Sequence, residues 1–146
     1  MRTAVIARRL MLAIAILSVA GTLVSSVSLY HHYGTETTTY CDFGQTFNCD
    51  VVNRSAYSSI EGIPVALIGI VGYVFLLALS TLRRSRPETP IYLLAASLGG
   101  LAFALYLTYV EKFILSTWCI LCLSSLAAIM GIAVSAIILN LQTRQG

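Results

Sequence analysis

Polar and apolar positions alternate in blocks along this chain. The runs Leu10 to Tyr30, Ile63 to Leu82, Ile91 to Val110 and Phe113 to Gln142 contain no Asp, Glu, Lys or Arg, and the charged residues fall in the gaps between them. A helix rising ~1.5 Å per residue needs about 20 apolar residues to cross a hydrocarbon core roughly 30 Å thick. The pattern therefore predicts four membrane-crossing helices, at about 10–30, 63–82, 91–110 and 118–140. Small residues inside the runs, Gly69 and Gly72, Ala95 and Ala96, Gly99 and Gly100, are of the kind that lets helices approach closely in lipid. Ser97, Thr108, Ser124 and Ser125 read as hydroxyls that satisfy backbone carbonyls or neighbouring helices.

Composition agrees with this class. The 146 residues are 58% hydrophobic and 10% charged, far from the roughly 25% charged content of a soluble domain. The expectation is one all-α integral membrane domain over 1–146, a four-helix bundle. Charge then orients it. Arg2, Arg8, Arg9, Arg83, Arg84, Arg86 and Arg144 lie on one side of the four spans, and Arg54 and Lys112 on the other. By the positive-inside rule both termini are cytoplasmic, and Gly34 to Gly62 and Glu111 to Trp118 face outward. The net charge of +3 thus reports topology and gives no reason to expect nucleic acid as a partner. With no ionisable residue in a membrane centre, a pump or ion-coupled transporter is not expected. His31 and His32 read as interfacial residues. Arg2 to Ala20 also resembles the three regions of a cleavable leader, but the apolar run continues to Tyr30, which favours a retained first span.

The outward segment 34–62 is Thr-rich up to Tyr40 and carries Cys41 and Cys49 on either side of a short loop. Asp50 is a fitting N-cap for a short half-helix in which Val51, Val52 and Ser55 share a face. Gly62 and Pro64 punctuate the start of the second span.

The other cysteines are Cys119 and Cys122, spaced CxxC at the start of the last span. Residues three apart on a helix share a face, so this pair can close a small-ring disulfide or act as attacking and resolving thiols. Ser116 and Thr117 are capping types, which puts Cys119 in the first helical turn, where free N–H groups and the positive dipole end favour thiolate. Trp118 beside it reads as an interfacial anchor, or as a wall for a flat ligand. Three roles suit four outward cysteines: structural staples, a four-cysteine zinc site, for which only one pair has the usual spacing, and a redox relay. In a relay, the loop pair exchanges with a soluble dithiol protein in an oxidising compartment. Cys49 then exchanges with Cys119, leaving Cys122 to face a lipophilic two-electron acceptor, a role that quinones fit.

Taken in order, Cys41, Cys49, Ser55, the lead-in Gly62-Ile63-Pro64 and Cys119-Ile120-Leu121-Cys122 at the last span resemble the vitamin K epoxide reductase (VKOR) family, in its prokaryotic form without a fused thioredoxin domain. The resemblance covers nearly the whole chain. In the DsbB-type quinone reductases the CxxC instead precedes the loop pair. The resemblance implies a bundle around a quinone (ubiquinone, menaquinone or a related ring), with Cys122 nearest the ring and Cys119 as its partner. It also implies that Cys49 carries electrons inward, that Cys41 meets a separate thioredoxin-fold (DsbA-like) protein, and that Ser55 lies on the half-helix over the quinone. The implied activity is that of a dithiol:quinone oxidoreductase in the plasma membrane, supporting disulfide formation in exported proteins, without a metal. Animal members that reduce the epoxide carry a tyrosine four residues past the second CxxC cysteine, where this chain has Leu126. They also carry a longer loop, with a quinone-contacting asparagine, before the second span. Quinone reduction rather than epoxide chemistry is thus the expected reaction.

Overall fold

The computed structural model describes residues 2–33, 59–82 and 86–145. Cys41, Cys49, Ser55 and the expected half-helix lie outside the described residues. The described chain is all-α apart from one small hairpin. Helix α1 spans Arg2–Tyr33, strands β1 Ser59–Ile60 and β2 Ile63–Pro64 form the hairpin, and α2 spans Val65–Thr81. Helix α3 spans Thr89–Tyr109 and runs into a π-helical turn, Val110–Leu115, and α4 spans Ile120–Gln145.

The hairpin pairs Ile60 with Ile63 across Glu61 and Gly62, whose φ values are 51° and 83°. Two consecutive positive φ values make the tight turn that matches strand twist, and glycine in the second place removes the Cβ conflict there. Pro64 is extended, with φ −60° and ψ 136°, and stands just before α2 as its N-cap, one step outside the first helical turn that its type suggested. The start expected at residue 63 is therefore a strand, and the helix proper begins at Val65.

Three helical stretches, Ala4–Tyr30, Thr89–Leu115 and Ile120–Gln145, are long and apolar enough to cross a membrane. The 17 residues of α2 reach about 25 Å at the helical rise, a few Å short of the hydrocarbon thickness. Large apolar side chains are exposed on the outer faces, among them Leu12, Val71, Leu105 and Val134. Helices that are apolar all round, with greasy outer faces, suit lipid as solvent. The protein is thus an all-α membrane protein.

Helix α1 packs against both α2 and α4, and α3 packs mainly against α4, while the seam between α2 and α3 is sparser. Ile14, Leu93, Ile132 and Leu139 are fully enclosed at the centre. Close approach rests partly on glycines: a Cβ on Gly69 would meet the Ser25 hydroxyl at 2.9 Å, and one on Gly131 would meet Leu17 at the same distance. Gly72 and Gly99, expected from sequence at helix contacts, instead have no atom within 4 Å of where a Cβ would stand. Hydroxyls inside helices mostly donate to carbonyls on their own helix, as Ser97 does to Leu94 at 3.0 Å and Thr108 to Ala104 at 2.9 Å. Such back-bonding satisfies the group without a partner helix.

Candidate active site

The third helix does not stop at Val110. It continues as the widened π-helical turn to Leu115, so the outer connection expected over Glu111 to Trp118 shrinks to the few residues between Leu115 and Ile120. Turns of this kind are rare and concentrate at functional sites. Here the turn swings Glu111 inward to 1% exposure, while Lys112, Phe113 and Ile114 point out. Ser116 ends the turn in the left-handed region, φ 52° and ψ 29°, and its N–H donates to the Glu111 carbonyl. The Thr117 N–H donates to the same oxygen at 3.1 Å. That reversal folds the chain back over Glu111, and the Cys119 N–H donates to its Oε2 at 3.1 Å.

Cys119 is fully buried, at 0% exposure, among Leu115, Ile120, Leu121 and Cys122. It is the N-cap of α4 itself. Its carbonyl accepts from the Leu123 N–H at 2.9 Å, and its Sγ accepts from the Cys122 N–H at 3.4 Å. A sulfur thus takes the place that a serine or aspartate oxygen usually holds at a helix start. Glu111 completes the arrangement from the preceding helix, as a capping-box glutamate does from within its own. The capping role that Ser116 and Thr117 suggested therefore falls to Cys119, with the Thr117 hydroxyl bonded to the Leu115 carbonyl at 3.2 Å.

The CxxC spacing has a concrete effect here. Hydrogen bonding from the Cys122 side chain, aided by the Cys122 and Leu121 amides, holds the Cys119 thiol below its ordinary pKa, against burial and the nearby Glu111 charge, which act in the other direction. Donors aimed at sulfur stabilise thiolate, the nucleophilic form.

Cys122 and Glu111 share the wall of a largely apolar cavity of about 370 Å³ enclosed by all four helices. This falls in the size range of small-molecule sites. Ser25, Ser28 and His32 on α1, Tyr73 on α2 and Ser125 on α4 supply the other polar groups. Tyr73 is braced: its hydroxyl lies 2.8 Å from both the carbonyl oxygen and the Oγ of Ser125, one turn beyond Cys122. Gly72 and Gly99 also line the space, on the sparse α2–α3 side, and their bare backbones widen it. Its lining is mostly apolar, with polar groups only at the positions named.

The Vitamin K epoxide reductase family matches residues 12–137 of the sequence. The chain belongs to the vitamin K epoxide reductase family. Family membership gives the general class: a membrane thiol-disulfide oxidoreductase linked to quinone.

Of the residues singled out in the sequence, the structure brings Cys119 and Cys122 together at the head of α4. Trp118 does not line the cavity, whereas His32, expected at the interface only, does. Leu126, in place of the tyrosine of the animal members, packs against the hydrophobic core. Among the described residues no cluster of three or more His, Cys, Asp and Glu could hold a metal ion. Glu111 and Tyr73 were invisible as site residues in the linear pattern. The one available signal for Glu111 was its place beside Lys112 in a two-residue gap between apolar runs, eight positions before Cys119.

Proposed function

We propose that this protein oxidises a separate extracytoplasmic thioredoxin-fold dithiol protein and passes the two electrons to a bilayer quinone, sustaining disulfide formation in exported proteins. The observation that carries this reading is the placement of Cys122 in the wall of an apolar cavity, with Cys119 as its CxxC partner behind it, its Sγ accepting from the Cys122 N–H. The apolar lining favours a lipophilic acceptor over a soluble donor, and quinone supplies a two-electron sink there.

The loop pair Cys41 and Cys49 receives electrons from the donor protein. The Cys49 thiolate then attacks Cys119 Sγ of the oxidised CxxC, forming a Cys49–Cys119 bond and releasing Cys122 as thiolate. Cys122 faces the quinone, and Ser55 contributes to the quinone site as the family resemblance implies. The arginine distribution supports a topology with cytoplasmic termini and cysteines at the outer face of the plasma membrane.

The test is quinone reduction driven by a reduced thioredoxin-fold donor, with Cys122→Ser and Cys49→Ala. Both variants should lose turnover, and Cys122→Ser should accumulate a Cys49–Cys119 disulfide. Full activity in either variant overturns the assigned roles.

A further inference from the structure

Glu111 is an acid buried at the junction of two helices, on the cavity wall beside Cys122. Its Oε2 is occupied by the Cys119 N–H, but Oε1 is buried without a hydrogen-bond partner among the described residues. Buried carboxyl oxygens are rarely left in this state, because the desolvation is uncompensated. The Cys122 thiol lies within electrostatic reach of the same carboxyl group. Among the described residues no cation pairs with it: Lys112, its neighbour in the π-helical turn, extends over the Phe113 ring at 5.2 Å from the centroid. Among the described residues, the other titratable groups lining the cavity are His32 from α1 and Tyr73 from α2, whose hydroxyl is engaged with Ser125, while Cys119 meets the carboxylate through its N–H from behind.

We propose that Glu111 is the proton carrier of the quinone half-reaction, taking the proton of the Cys122 thiol through its unpartnered Oε1 and delivering it to the acceptor in the adjoining cavity. The inference rests on the quinone-reducing reading above. Moving two electrons from a dithiol to a quinone also requires two protons. Of the two thiol protons of the reduced pair, that of Cys119 leaves to water. Glu111 accepts the Cys122 proton. The two sulfurs join in one S–S bond and release two electrons to the quinone ring. Glu111 then returns its proton to a quinone oxygen and regains its negative charge, and one proton from water completes the quinol. The π-helical turn serves this step by holding the acid between Cys119 and the cavity.

Glu111→Gln separates this role from a structural one, because the amide oxygen still accepts from Cys119 N–H while no proton can be carried. General acid–base catalysis contributes roughly 10² to 10⁴ in rate. Single-turnover quinone reduction by the prereduced protein should therefore slow at least ~100-fold in Glu111→Gln. Formation of the Cys119–glutathione mixed disulfide, which uses Cys119 Sγ and leaves the Cys122 proton in place, should keep its rate, and Glu111→Asp should recover part of the quinone rate. A second readout needs no quinone: infrared difference spectra on oxidising the CxxC with glutathione disulfide should show a carboxyl band that is lost in Glu111→Gln. An unchanged quinone rate, equal slowing of both reactions, or persistence of the band in the variant each overturns the proposal. Failure of the wild-type protein to reduce quinone, with the carboxyl band present, would reject the functional reading and leave the coupling of Glu111 to the thiols standing.

Discussion

Replacing Gly21 with alanine sets two effects of known size against each other. Gly21 is buried on α1, and a Cβ there would overlap the ring of Tyr73 on α2. Alanine in a helix interior is favoured over glycine by about 1 kcal/mol, so without the ring the substitution would stabilise. Overpacking a filled interior costs about 1–3 kcal/mol. The upper part of that range applies, because the clashing atoms belong to a rigid ring and not to a flexible chain end. Escape is blocked too: swinging the ring away breaks the 2.8 Å contacts of the Tyr73 hydroxyl with Ser125, a kind of interhelical bond worth about 0.6 kcal/mol on average in membranes and up to about 1.7. The net expectation for Gly21→Ala is a loss of about 1–2 kcal/mol. In a Tyr73→Val background the overlap disappears and the same substitution should become neutral or stabilising by up to about 1 kcal/mol, a coupling of about 1–3 kcal/mol. Reversible unfolding in mixed micelles, titrated with a denaturing detergent, measures all four corners of the cycle. Stabilisation by Gly21→Ala in the wild-type background, or strict additivity of the two changes, would refute the packing argument.

Two further outcomes can be measured on the same preparations. Ser116 holds a left-handed conformation, so Ser116→Gly should leave thermal stability in detergent unchanged or slightly raised, whereas Ser116→Val should lower it by about 1–2 kcal/mol. Because the Cys122 side chain is the leading cause of the lowered Cys119 pKa, Cys122→Ala should move the Cys119 titration upward toward that of an ordinary thiol. Thiolate absorbance in the ultraviolet, followed against pH, reports it: at a pH where wild-type Cys119 is ionised, the variant should be more protonated, and an unchanged titration would refute the assignment.

The four apolar runs, the all-helical class and the cysteine spacing were legible in the sequence because they depend on local properties. Run length is matched to membrane thickness, and the i, i+3 spacing of Cys119 and Cys122 carries over directly into a helix start. Helix ends were less legible. Residues 63–64 form a strand because they pair with 59–60 across the Glu61-Gly62 turn, and the helical path runs on through Leu115, where the buried Glu111 carboxylate meets the Cys119 amide. The same holds for glycines. Gly72 and Gly99 look like contact residues in one dimension and prove to be bare cavity wall, while Gly21 and Gly131, unremarked in the pattern, make the tight contacts.

What the linear order of residues determined by itself is the solvent this chain needs and the pair of sulfurs it places at the head of its last helix. What only the tertiary structure decided is the environment of those sulfurs. The burial of Glu111, its grip on the Cys119 amide, the bracing of Tyr73 by Ser125 and the cavity behind Cys122 all arise from side chains on different helices meeting. The physical reason is that burial and hydrogen-bond satisfaction belong to the packed bundle: an acid beside a span boundary reads as surface charge until a reversed turn closes over it.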